Sequence, residues 1–263
     1  MNVSRLPNPN HQPNDFIPQL VKKVPKVTVF FWIIKILTTG MGETTSDFLV
    51  HQLNPILAVA LGTIGLLAAL VLQFSVRRYV AWIYWLAVIM VAIFGTMAAD
   101  VLHIGLGIPY LFSTIFFAIV LIIIFFVWYK IEKTLSIHSI ITPRRELFYW
   151  AAVITTFALG TAAGDMTAVT FNLGYLDSGI MFALLFAIPL VLYKFFGFNE
   201  VITFWFAYIM TRPFGASFAD WFGRTKDLGG IGFGTGKTSI VLGVLIVIFV
   251  SYLAISRKDI KKN

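Results

Sequence analysis

The chain has 263 residues, 59% of them hydrophobic, a mean hydropathy of +0.87 and no cysteine. Disulfides and thiolate metal sites are excluded, and the apolar excess exceeds the roughly one-half expected of a soluble domain. The net charge of +8 tempts a nucleic-acid reading, but its layout points to a membrane instead.

In chain order, residues 1–25 are polar and rich in Asn and Pro ("NPNHQPNDF"), with no apolar leader, which predicts a disordered cytoplasmic tail. Eight apolar segments follow, at about 28–46, 54–75, 80–101, 107–129, 147–166, 177–197, 201–221 and 238–255. Each approaches the roughly 20 residues that a membrane span needs. The connections near 130–146 and 222–237 read as surface loops, and 258–263 as a basic cytoplasmic tail. The predicted class is an all-α polytopic membrane protein of eight transmembrane helices, with residues 26–257 as one membrane domain.

With the amino terminus placed in the cytoplasm, fifteen of the twenty Lys and Arg fall on the inner side. Three fall outside (Arg224, Lys226, Lys237), and Lys35 and Arg212 lie within spans. This is the positive-inside bias, with both termini inside. The basicity is explained by topology and contact with membrane lipids, without nucleic acid.

Four segments align without gaps: "FWIIKILTTGMGETTSDF", "YWLAVIMVAIFGTMAADV", "YWAAVITTFALGTAAGDM" and "FWFAYIMTRPFGASFADW". Each places an aromatic before Trp32, Trp85, Trp150 or Trp205. Glycine follows ten residues later (Gly42, Gly95, Gly160, Gly215) and aspartate fifteen later (Asp47, Asp100, Asp165, Asp220). Each copy begins a two-helix unit, over about 28–75, 80–129, 147–197 and 201–255. An even number of spans per unit makes the four repeats parallel, related by an axis along the membrane normal.

Trp, Gly and Asp in four tandem two-helix repeats resemble a family of bacterial inner-membrane proteins known as a repeat of unknown function. "KILTTGMGETTSDFLV" is similar to its most characteristic segment, and the resemblance covers about residues 25–257. It implies a bacterial plasma-membrane location and this architecture, and it supplies no substrate.

At about 1.5 Å rise per residue, Trp sits at the cytoplasmic end as an interface anchor, Gly near the midplane and Asp in the outer half. Gly with the small residue four later forms a small-xxx-small pair for close helix packing. Each Asp shares a helix face with the residue four before it: Glu43, Thr96, Thr161 or Ala216. The motif helices are therefore expected to pack inward and present acids to a shared cavity. Intramembrane acids are costly and default to a functional reading, against the alternative of acids that cap helices or meet water.

Repeats 1 and 4 depart from the pattern. Lys35 lies three residues past Trp32 and is expected to snorkel to the cytoplasm. Arg212, beside Pro213, is deeper and is expected to pair with Glu43 if repeats 1 and 4 are neighbours. These departures mark repeats 1 and 4 as the active pair.

"GIGFGTGKTS" (230–239) imitates a nucleotide P-loop but has Ile231 where the first glycine belongs. It reads as a flexible loop and a helix start, with no nucleotide. His51 and His103 are assigned to outer loops, and the scattered methionines to packing. No Ser-His-Asp or His-rich grouping suggests an enzyme, and no cofactor is expected.

The functional expectation is a secondary transporter, an exporter of a small cation, coupled to the proton gradient through acid protonation. Glu43, Asp47, Asp100, Asp165 and Asp220, with Arg212, form the expected site. Ser46, Thr96 and Thr161 would supply neutral oxygens. Oxygen ligands without cysteine favour manganese or magnesium held by the four Asp. The alternatives are a proton-coupled carrier of an organic cation or small metabolite, and a membrane scaffold that transports nothing.

Overall fold

The computed structural model describes residues 22–260. Eight long helices form: α1 (Val29–Gln52), α2 (Pro55–Ser75), α3 (Ala81–Asp100), α4 (Tyr110–Glu132), α5 (Pro143–Asp165), α6 (Gly174–Phe196), α7 (Glu200–Gly223) and α8 (Thr235–Ser256). There is no strand among the described residues. Local chemistry sets several starts. Thr28, Asn54, Thr142 and Asn199 each accept a first-turn backbone N–H through a side-chain oxygen. Pro55 and Pro143 follow two of these caps, where a missing N–H costs nothing.

Six helices are long and apolar enough to cross a membrane. The two that fall short, α1 and α7, carry Lys35, Glu43 and Asp47, and Arg212 and Asp220.

The four motif helices close a ring. α1 packs on α3, α3 on α5, α5 on α7, and α7 returns to α1. Each second helix leans chiefly on the next unit's motif helix: α2 on α3, α4 on α5, α6 on α7 and α8 on α1. The spatial order of repeats therefore follows the sequence order. The outer helices turn apolar side chains outward, such as Ile115, Phe116, Ile119, Ile122 and Phe126 of α4. A belt of this kind suits lipid.

The glycines permit the closure by one rule. A Cβ on Gly42 would lie 2.7 Å from the backbone carbonyl carbon of Ala92, and one on Gly95 2.7 Å from Phe157 Cβ. On Gly160 it would lie 2.5 Å from Arg212 Cβ, and on Gly215 2.8 Å from the Ile36 carbonyl oxygen, against Thr39. Each repeat glycine thus meets the residue seven past the tryptophan of the following repeat, and repeat 4 meets repeat 1.

A second cyclic rule corrects the tryptophans. Trp85, Trp150 and Trp205 are buried, Trp85 with 1% exposure, and Trp32 is half-buried. Each packs on the aromatic residue that opens the preceding repeat. Phe31 lies 5.6 Å from Trp85, Tyr84 5.7 Å from Trp150, Tyr149 6.2 Å from Trp205 and Phe204 5.6 Å from Trp32, centroid to centroid. They are locks between repeats rather than interface anchors.

The expected amino-terminal tail lies outside the described residues up to residue 21. Its last part is docked: Lys23 and Val24 are buried. Lys23 ion-pairs with Glu146, and Gln73 donates to the same carboxylate at 2.9 Å. A charge buried with its partner stays folded against the ring where a free tail would not. The far end behaves similarly, with Asp259 accepting from the Tyr79 hydroxyl at 2.6 Å; residues 261–263 lie outside the described residues. The stretch 230–234 is also ordered, its backbone N–H groups donating to carbonyls of residues 221–225. It is a folded return of the chain rather than a flexible loop.

Candidate functional site

Counting in fours from the aromatic before each tryptophan marks one stripe on each motif helix. The i,i+4 row is inclined by about 26° to a helix axis, so helices that keep it facing a common centre must lean around that centre. Five layers result. The first is Phe31, Tyr84, Tyr149 and Phe204, where the Tyr84 and Tyr149 hydroxyls meet at 2.5 Å. The second is Lys35, Val88, Val153 and Tyr208, and the third Thr39, Ala92, Phe157 and Arg212. The fourth is Glu43, Thr96, Thr161 and Ala216, and all residues of these four layers are buried. The fifth is Asp47, Asp100, Asp165 and Asp220, of which Asp100 is half-buried.

Arg212 rises from the third layer into the fourth. Its Nη2 donates to Glu43 Oε2 at 2.5 Å and to Thr161 Oγ1 at 2.7 Å, and also to Thr96 Oγ1. Nη1 donates to the Thr39 carbonyl at 2.8 Å. The expected Arg212–Glu43 pair is therefore formed, and Thr96 and Thr161 serve the guanidinium. Ala216, the small fourth member of the layer, belongs to Arg212's own helix and leaves room for its fork. Glu43 stands alone among the repeats because only repeat 4 supplies an arginine.

Lys35 does not snorkel. It is 1% exposed, and its ammonium has no hydrogen-bond partner among the described residues. It lies 3.8 Å from the centroid of the Phe157 ring and 4.2 Å from that of Tyr208, a cation–π cage. The stripe explains the correction: three residues past the tryptophan is an inward position, and the aromatic layer closes the route to the helix end.

Sequence reasoning missed Arg224. It follows α7, with Nη2 3.1 Å from Asp47 Oδ2 and Nε 3.0 Å from Asp220 Oδ1, and it covers the Tyr175 ring at 5.2 Å. By sequence it reads as an outer loop charge, although its i,i+4 spacing from Asp220 is a usable signal. Glu43, Asp47 and Asp220 each bring a carboxylate oxygen within 4.8 Å of the others, a grouping able to hold a metal ion. Asp100 and Asp165 occupy the same layer but stand outside this grouping, so the four aspartates do not converge as one ligand set. Among the described residues they have no ion-pair partner. Directly after these two aspartates the helices widen into π turns, Val101–Gly105 and Met166–Thr170, a feature common at functional sites.

Ser46 is buried, and its hydroxyl has no hydrogen-bond partner among the described residues. His51 lies on α1, its Nδ1 2.6 Å from the Asp47 backbone oxygen. His103 is in the first π turn, its ring tilted 42° against that of Tyr110 with centroids 4.1 Å apart. Neither histidine belongs to the carboxylate grouping.

A closed ring of four helical repeats, sheathed by apolar helices and cored by charged side chains, defines an internally repeated membrane-type protein. The chain belongs to the family described as Repeat of Unknown Function (DUF347), matched four times at residues 30–79, 83–134, 148–198 and 203–259. No curated protein and no solved structure matches the chain.

Proposed function

We propose that this chain is a secondary carrier of a small cation, divalent manganese or magnesium foremost, with eight spans and both termini cytoplasmic. The observation that carries the reading is the imbalance at one end of the ring. Glu43, Asp47 and Asp220 converge on the two guanidinium groups of Arg212 and Arg224, and Asp100 and Asp165, in the same layer as Asp47 and Asp220, have no ion-pair partner among the described residues. Buried carboxylates without matching cations are expensive, and a cation cargo or protons would meet that demand. Hard divalent ions take several oxygen ligands, and the cluster offers carboxylates with no sulfur.

In this reading the two arginines are tethered cations. Arg224, 24% exposed, holds Asp47 and Asp220 until cargo replaces it. Arg212, fully buried, closes the axis beneath. Phe157 shares the layer of Arg212, and the Tyr208 and aromatic layers lie below it, so the cation reaches the acids from the aspartate end. Release on the other side requires neighbouring repeats to part, as in alternating access. Protons replacing the cation on the same carboxyl groups would couple the cycle to the proton gradient.

The test is flux into proteoliposomes carrying the purified chain, across manganese, magnesium, calcium and an organic cation. Manganese or magnesium flux should be saturable and lost in Asp47→Asn/Asp220→Asn. Unchanged flux in a variant of normal unfolding temperature, or no flux of any inorganic cation, overturns the reading. Transport of the organic cation alone would assign the site to that class instead.

A further inference from the structure

A cavity of about 720 Å³ lies at the opposite end of the ring from the aspartates, where segment 22–26, the α2–α3 connection and the end of α8 meet. Its volume falls in the range of small-ligand sites, roughly 300–1,000 Å³. The walls are laced together: Tyr79 N–H donates to the Lys22 carbonyl at 2.9 Å, and Lys26 N–H to the Asp259 carbonyl at 2.9 Å. Arg257 adopts a left-handed conformation (φ 52°), which ends α8 and folds the following residues back over the cavity.

Four basic side chains line it, those of Lys22, Lys26, Arg78 and Arg257. None has an ion-pair partner among the described residues. The acids nearest these side chains are already engaged. Asp259 is 3% exposed and accepts from Tyr79, while Glu146 is held by Lys23 and Gln73. His138, also in the wall, faces Glu200 at 3.3 Å. The other side of the cavity is apolar, formed by Ala81, Trp82, Leu253 and Ala254, with Trp82 nearly half exposed. Trp beside such a wall marks the headgroup level of a bilayer.

We propose that this cavity binds the phosphate of an anionic phospholipid. The headgroup sits among Arg78, Arg257, Lys22 and Lys26, and the acyl chains leave along Trp82 and Ala254. A soluble phosphate shares the head chemistry, but the apolar wall gives it nothing to bury, which selects the lipid. Basic pockets at the ends of membrane helices recognise lipid headgroups by this combination. The inference is independent of cation transport.

The full chain in neutral micelles is titrated with phosphatidylglycerol, phosphatidylcholine, glycerol phosphate or inorganic phosphate. Unfolding temperature and lipid retention in native mass spectrometry are read. Phosphatidylglycerol should raise the unfolding temperature and stay bound, whereas the other three should not. Arg78→Gln/Arg257→Gln should weaken its retention on the order of thirtyfold, at about 1 kcal/mol per charge. Lys130→Gln/Lys133→Gln, outside the cavity, should retain it. Arg78→Lys/Arg257→Lys keeps both charges and should retain the preference even if the glutamine pair misfolds. Equal retention of phosphatidylcholine, an equal shift with a soluble phosphate, or equal losses in the cavity and control variants overturns the proposal.

Discussion

Arg212 Nη2 donates to Glu43 Oε2 at 2.5 Å inside a ring closed by repeats 1 and 4, with both side chains almost wholly buried. Breaking such a pair from one side leaves a stranded charge, at about 3–5 kcal/mol, while replacing both partners is far cheaper. Arg212→Met should therefore lower stability by that amount, and Glu43→Gln/Arg212→Met should recover most of it. Equilibrium unfolding in detergent measures both. A double variant as unstable as the single one would show that Thr39, Thr96 and Thr161 matter more to the arginine than Glu43 does.

The ring glycines should tolerate no side chain. Gly42→Ala and Gly215→Ala put a methyl against the backbone of the next helix, where overpacking costs typically about 1–3 kcal/mol. Gly243→Ala meets only the Met41 side chain at 3.6 Å and should be neutral. Unfolding temperatures of the three variants give the comparison.

Among the described residues the buried Lys35 ammonium has no hydrogen-bond partner, an arrangement that costs stability. Lys35→Met keeps the length and removes the charge, so the variant should be at least as stable as the parent. If flux is lost while stability rises, the lysine serves transport rather than folding.

On the proposed carrier reading, removing Arg224 leaves Asp47 and Asp220 open to a cation. Arg224→Gln should lower the KM for the transported cation, on the order of tenfold if the bridged form predominates ten to one. Cation titration of flux measures it. A raised KM would mean that Arg224 supports the site rather than competing for it.

Burial raises the pKa of Asp259, only partly offset by its hydrogen bond from Tyr79. A carboxyl group with a raised folded value favours the docked state in its protonated form. Docking of residues 257–260 is then tightest at acid pH, below the unfolded value, and loosens as pH rises through the raised one. Hydrogen exchange of these amides, compared with Asp259→Asn, should show the pH dependence in the parent alone.

Much of the site was readable because the chain states its pattern four times. Repetition exposed the glycine and aspartate offsets, and departures from it singled out Glu43 and Arg212. The tryptophans were misread because position near a span end says nothing about what covers it. Each is covered by the aromatic residue of the preceding repeat, a contact between residues more than fifty positions apart, or between repeats 1 and 4. Lys35 was misread for a related reason: its reach to the helix end was considered, but not the Tyr84–Tyr149 layer that blocks the way. Arg224 escaped because a charge just past a span looks solvated until the neighbouring helix brings Asp47 to it.

The helices, the fourfold period and the residues that share a face are legible along the chain, since apolar length, caps and i,i+4 spacing are local properties. The tertiary structure decided which face points inward. That choice depends on closure of repeat 4 onto repeat 1, where Gly215 meets Thr39 and Phe204 meets Trp32. Only this closure brings Lys35, Arg212, Glu43 and the aspartates to one axis, because a charge on a helix becomes a shared core only when the other three helices surround it.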